Sequence, residues 1–243
     1  MSELAYRARY LLNERPAAYM PLARLRHRGR SEYIVHRDTQ LVLEGFARAG
    51  NTFMWLAFRS AQPQPVRLAH HTHAPAQVVR AVRWKIPTLV VVRDPADSVL
   101  ANMALHHVSA RTALVAWIRY HKGIMTVREG FVAAGFDDVT HDFGAVMHRV
   151  NRAFGTSFGV FEHIAENEAR VFAAISERNR TRFDGAVTRE RALILARPTA
   201  ERDALKAQRS HELDAAALAP LRARADELHR VILGRDADAV TMR

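Results

Sequence analysis

The chain has 243 residues, of which 49% are hydrophobic, and no cysteine; 36 lysines and arginines against 25 acidic residues give a net charge of +11. This composition is that of a globular chain and excludes collagen-like, disordered and disulfide-stapled classes. Without cysteine there are no thiolate metal sites, iron–sulfur clusters or cysteine nucleophiles. The positive excess favours encounter with anionic partners such as nucleotides, polyanionic glycans, nucleic acid or acidic lipid headgroups, without choosing among them.

The first 39 residues interleave Tyr6, Tyr10, Leu11, Leu12, Tyr19, Met20 and Leu22 with arginines. Core packing, a lid over a site, dimerisation and contact with a membrane surface all remain open for this basic N-terminal segment. Its charges interrupt any apolar run, so no cleaved signal is expected and the default compartment is cytoplasmic. Arg24, Arg26, His27, Arg28 and Arg30 form a basic knot, read as a solvated face in preference to a dedicated nucleic-acid site.

Gln40 to Gly45 reads as a short buried strand, Phe46 to Gly50 as a turn and Thr52 to Ser60 as a helix. Val66 to His70 is a second strand, and Pro75 opens a helix toward Trp84, since proline at the first helical turn loses no hydrogen bond. Leu89 to Val92, between Pro87 and Arg93-Asp94-Pro95, is the clearest strand, apolar enough to be buried on both faces. The apolar run from Ile86 to Val92 is far shorter than the roughly 20 residues that span a bilayer, so no transmembrane segment is expected.

Ser109 caps a helix running through His121, Val139 to His141 adds a further strand, and Val146, Met147, Val150 and Phe154 share one face of a helix stopped by Gly155. Ile164, Val171, Phe172 and Ile175 share another helical face. Thr199 onward and Leu213 to Leu233 give two more amphipathic helices. The expected fold is α/β, a P-loop-type three-layer arrangement with a central parallel sheet flanked by helices and a helical C-terminal half, in a single domain over residues 1–243.

Three constellations lie at the same sheet edge. Gly45-Phe-Ala-Arg48-Ala-Gly50-Asn51-Thr52 has the spacing of a phosphate-binding loop with Asn51 in place of lysine. A glycine turn into a helix N-terminus offers backbone N–H groups and a positive dipole end to a phosphate, and Arg48 supplies a cation. Arg93 follows the clearest strand, suited to a bidentate phosphate contact or to pairing with Asp97. His70-His71-Thr72-His73 ends the second strand, where a histidine serves as a general base, a metal ligand or a structural polar group.

Together these motifs resemble the nucleotide-dependent sulfotransferases, which use 3′-phosphoadenosine 5′-phosphosulfate, over roughly Leu41 to Tyr120. The family's PKSGTTW-like loop corresponds to Ala47-Arg48-Ala49-Gly50-Asn51-Thr52-Phe53. The resemblance implies that Arg48 takes the place of the family's basic residue, that Ala49, Gly50, Asn51 and Thr52 hold the 5′-phosphate, and that Phe53 stands where an aromatic flanks adenine. The KTHLP-like segment corresponds to His71-Thr72-His73-Ala74-Pro75, which puts His73 on the catalytic base and His71 where many members carry lysine.

Arg93-Asp94-Pro95-Ala96-Asp97 matches the 3′-phosphate element, but Ala101 stands where the family has a serine, with Ser98 and Asn102 nearby as substitutes. Arg197 and the segment to Lys206 resemble the closing tail of small bacterial members, although Arg202 and Lys206 alone read as a solvated helix face. The implied activity is sulfuryl transfer to a hydroxyl or amine of a small-molecule, glycan or lipid acceptor, itself anionic if the basic surface is matched, without a metal. A homodimer through the N-terminal segment is compatible with it. The rivals are a P-loop kinase for a small molecule, which Asn51 disfavours, and a basic anion-, glycan- or nucleic-acid-binding protein on the same fold, favoured by the net charge and Ala101.

Overall fold

The computed structural model describes residues 2–182 and 200–234. Four parallel strands, β1 (Leu41–Gly45), β2 (Leu68–His70), β3 (Thr88–Val92) and β4 (Val132–Gly135), form one sheet in the order β2-β1-β3-β4. Register sets Leu41 beside Leu68, Gly45 beside Val91, and Leu89 beside Val132. The carboxyl ends of β1, β2 and β3 therefore come together, and each of these strands hands its last residues to a helix: α3 (Asn51–Ala61), α4 (Pro75–Arg83) and α5 (Pro95–His106).

Strand alternation sorts the core into two faces. Leu41, Leu43, Leu89 and Val91 pack with Phe53, Met54 and Phe58 of α3, Met147 and Val150 of α8 (Phe143–Phe154), and Val171 and Ile175 of α9 (Ala165–Arg182). Val90 and Val92 face the opposite layer, where Trp117 and Tyr120 of α6 (Ala110–Met125) meet Val99 and Met103 of α5. Two further helices, α10 (Ala200–Asp214) and α11 (Ala219–Ile232), close that layer with Leu213, Leu228 and Ile232. The result is the α/β, helix–sheet–helix arrangement expected from the sequence, and after Ala110 the described residues contain one strand among helices.

The N-terminal segment is part of this core. Helix α1 (Glu3–Asn13) buries Tyr6 and Tyr10, whose rings lie 4.9 Å apart, with Tyr10 5.7 Å from Phe46. Helix α2 (Pro16–Arg26) buries Met20 and Ala23 against Val42, Ala69 and Ala81. Swinging α1 away as a lid would re-expose two aromatic rings of roughly 150–250 Å² each, at about 25 cal/mol per Å². That cost favours core packing. Leu4, Leu11, Leu22 and Leu25 remain exposed, as do Arg24, Arg26, Arg28 and Arg30 of the basic knot.

Several expectations need correction. Val139 to His141 is helical, within α7 (Phe136–His141), and the fourth strand lies earlier, at Val132–Gly135. The Asp138 carboxylate accepts a hydrogen bond from the Gly135 N–H at 3.0 Å, fixing a helix start that a strand would have forfeited. Ile164 precedes α9 and is exposed, so it does not share the buried face of Val171 and Ile175. Leu213 belongs to α10, because Pro220 in the first turn of α11 starts a new helix.

Among the described residues no helix is long and apolar enough to cross a membrane. Arg197 lies outside the described residues.

Candidate active site at the carboxyl edge of the sheet

The loop from Gly45 to Thr52 is shaped by close packing. A Cβ on Gly45 would meet the Val91 side chain and carbonyl at 2.6 Å, so only glycine fits where β1 leaves the sheet. Gly50, at φ 94°, is the N-cap of α3, and a Cβ there would press on the Phe136 ring at 3.1 Å. Asn51 turns inward: its Nδ2 donates to the Phe46 carbonyl at 3.0 Å, bracing the turn from within. The Ala49 N–H also turns back onto that carbonyl, at 3.2 Å. These two residues therefore shape the loop, and the first-turn N–H groups of α3 lack acceptors inside the helix, the kind of donors that can meet an anion.

Beside the loop, Glu44 is a fully buried carboxylate at the end of β1. It accepts hydrogen bonds from the Thr72 N–H at 2.8 Å, the Thr72 hydroxyl at 2.7 Å, the His73 N–H at 3.1 Å and Gln77 Nε2 at 2.9 Å. Burial pushes its pKa up to about 7, and the bonds from Thr72, His73 and Gly45 restrain the rise. Gln77 in turn accepts from the Val35 N–H and donates to the Tyr33 carbonyl, tying the site to the segment before β1. Sequence reasoning missed Glu44; the signal was a single acid at the end of the apolar strand Leu-Val-Leu-Glu-Gly.

This anchoring fixes His73, whose backbone is left-handed at φ 52°. Its Nδ1 lies 2.9 Å from the Gly45 carbonyl oxygen. A carbonyl only accepts, so the proton sits on Nδ1 and Nε2 carries the lone pair. Burial lowers the pKa to about 4, the Gly45 bond resists that fall, and Arg9, Arg48 and His106 add to it. His73 is thus neutral and already in the tautomer that can take a proton, although its pKa lies below the near-neutral value expected of a general base.

His71, also left-handed at φ 60°, places Nε2 3.1 Å from the Thr52 hydroxyl and Nδ1 2.6 Å from Nδ1 of His70. His70 is buried against Trp55 and Tyr33, and burial, followed by Arg178 and Arg59, pushes its pKa down to about 3.

On the other side of the loop, Arg93 donates through Nη1 to the Arg48 carbonyl at 3.2 Å and through Nη2 to Asp97 at 3.0 Å, with its guanidinium 4.3 Å above Phe136. Lys206 of α10 also donates to Asp97, at 3.1 Å. Lys206 is therefore folded onto the start of α5, which corrects its reading as a solvated face. Two cations around one carboxylate leave a local excess of one positive charge. Asp97 is held below the usual carboxylate range by Arg93 and Lys206, against the opposing effect of burial.

Two other assignments change. Ser98 and Asn102, the expected substitutes for the serine missing at Ala101, are both fully buried. Asn102 Nδ2 braces the loop by donating to the Ala47 carbonyl at 3.0 Å and the Ser98 carbonyl at 2.8 Å, while its Oδ1 faces the Tyr6 hydroxyl. Phe53 is buried on the core face of α3, with its ring near Phe161, His163 and Phe172, so it offers no open face to a base. The structure thus brings Arg48, Gly50, Thr52, His71, His73 and Arg93 to one edge, joins Lys206 to them, and turns Ala49, Asn51 and Phe53 inward.

The chain matches no protein-family model and no curated protein.

Proposed function

We propose that this protein is a sulfotransferase that moves a sulfuryl group from 3′-phosphoadenosine 5′-phosphosulfate to a hydroxyl or amine. The observation that carries the reading is His73, anchored by Glu44 and bonded to the Gly45 carbonyl beside the uncapped N-terminus of α3. In the reaction the acceptor oxygen or nitrogen forms a bond to sulfur as the bond from sulfur to the bridging phosphate oxygen breaks. The acceptor's proton goes to His73 Nε2, and adenosine 3′,5′-bisphosphate leaves. In-line transfer of this kind depends on positioning and on cations set against developing charge.

First-turn amides of α3 and the Thr52 hydroxyl hold the 5′-phosphate, Arg48 faces the transferring oxygens, and Arg93 with Lys206 takes the 3′-phosphate. A bound polyanion would offset Arg48 and Arg9 and raise the pKa of His73 toward the working range of a base. The acceptor is a small molecule, glycan or lipid headgroup, anionic if it matches the net charge of +11.

Calorimetric titration with adenosine 3′,5′-bisphosphate tests the reading. Micromolar binding that ATP does not share and that Arg93→Ala loses is the expected result. No binding by the wild-type protein would sink it and favour a basic binding protein on this fold.

A further inference from the structure

We infer that His70 is a positioning residue: it sets the tautomer of His71 so that the Thr52 hydroxyl keeps its proton for an anion at the loop. The inference rests on the phosphate-loop reading of Thr52 and extends it to two histidines with no role in the proposed proton transfer.

Its starting point is His70 Nε2, which is buried and has no hydrogen-bond partner among the described residues. A bare nitrogen lone pair is tolerated in such a setting better than an unsatisfied N–H, since orphaned buried donors are the rarer defect. Nε2 of His70 therefore carries no proton, and the single proton of the neutral ring sits on Nδ1. At 2.6 Å from His71 Nδ1, that N–H must donate to it, because two lone pairs or two N–H groups cannot face each other at this distance. His71 Nδ1 is then the acceptor, so its proton lies on Nε2.

His71 Nε2–H donates to the Thr52 oxygen at 3.1 Å. A hydroxyl that accepts there keeps its own O–H free to donate elsewhere. Thr52 is in the first turn of α3, where the helix dipole and its N–H groups favour a negative charge. In the opposite tautomer the Thr52 proton would point at His71 and leave only lone pairs toward a phosphate. Burial of one imidazole edge, against Trp55 at 4.6 Å and Tyr33 at 5.1 Å, is thus read out as a hydroxyl donor on the far side of the pair.

Nitrogen-15 imidazole spectra of the ligand-free protein decide the tautomers directly. The expected pattern is a proton on Nδ1 of His70 and on Nε2 of His71 at neutral pH; a proton on Nδ1 of His71 would overturn the inference. Adenosine 3′,5′-bisphosphate titrations supply the second test. His70→Asn, whose amide can replace the Nδ1 donor, should bind like the wild type, whereas His70→Phe should bind about five-fold more weakly, the worth of one neutral hydrogen bond.

In a Thr52→Val background, His70→Phe should have no further effect. An equal loss with and without Thr52, or a loss in His70→Asn matching that in His70→Phe, would show that His70 acts by packing alone. Failure of the wild-type protein to bind the bisphosphate would sink the nucleotide reading, and the spectra would still decide the tautomers.

Discussion

The two flanks of the Gly45–Thr52 loop are built on opposite physical plans. On the β1–β2 side, Glu44 holds the His73 backbone at 3.1 Å, His70 meets His71 at 2.6 Å, and burial holds the histidines His70 and His73 neutral. On the β3–α5 side, Arg93, Asp97 and Lys206 form a partly exposed ionic cluster resting on Phe136. The first flank gets its geometry from desolvated polar groups that cannot be left unmatched, and the second from charges that salt and ligands can rearrange. Orientation of the proposed base should therefore be insensitive to ionic strength, and the proposed affinity for phosphate should not.

The strongest challenge to this contrast is His73→Ala. It should lower sulfuryl transfer by about 10²–10⁴-fold, the usual worth of a positioned base, while adenosine 3′,5′-bisphosphate still binds. Turnover close to wild type in a labelled-sulfate assay would remove His73 from the chemistry.

Glu44→Gln comes next. An amide would set its own N–H₂ against donors from Thr72 or His73, and the expected loss is about 3 kcal/mol of folding stability, read by denaturant unfolding. The wild type should also show two-sided pH dependence. His70 and His73 have folded pKa values of about 3 and about 4, below their ordinary 6.5, so their contribution is complete above 6.5 and fades as pH falls through the folded values. Glu44 is raised from 4.5 to about 7, so its contribution is complete below 4.5 and is lost as pH rises through about 7. Glu44→Gln should flatten the alkaline limb and leave the acid limb in place.

Asn102→Ala should cost about 1–3 kcal/mol by leaving the buried Ala47 carbonyl without its donor, visible as a lower thermal midpoint. Asp97→Asn should have the smallest effect on stability, at most about 1 kcal/mol. It releases Arg93 and Lys206 and should tighten bisphosphate binding a few-fold at low salt, a gain that high salt removes. If that gain survives high salt, the β3–α5 flank is not the electrostatic one.

Much of this plan was legible in the sequence. The β-branched run at β3, the glycine turn after β1 and the Ser109 cap of α6 each carry a local signal that tertiary packing left unchanged. Strand β4 was missed because Val-Ala-Ala-Gly has little β propensity; it is a strand because β3 offers it a parallel edge. Glu44 and the bracing role of Asn102 were missed because their partners are distant in sequence, Thr72 and Gln77 for one and Ala47 for the other. Phe53 was placed at the rim by motif position, yet it sits on the face of α3 that the core claims.

The left-handed backbone at Arg48, His71 and His73 marks these positions in another way. Glycine adopts that conformation freely, whereas a residue with a side chain gives up roughly 1 kcal/mol to hold it. Three such residues crowd one sheet edge, where selection for stability alone would favour glycine at each. Glycine substitutions at Arg48, His71 and His73 would therefore invert the usual logic of mutagenesis: one that makes the protein harder to melt marks a side chain kept for some purpose other than folding.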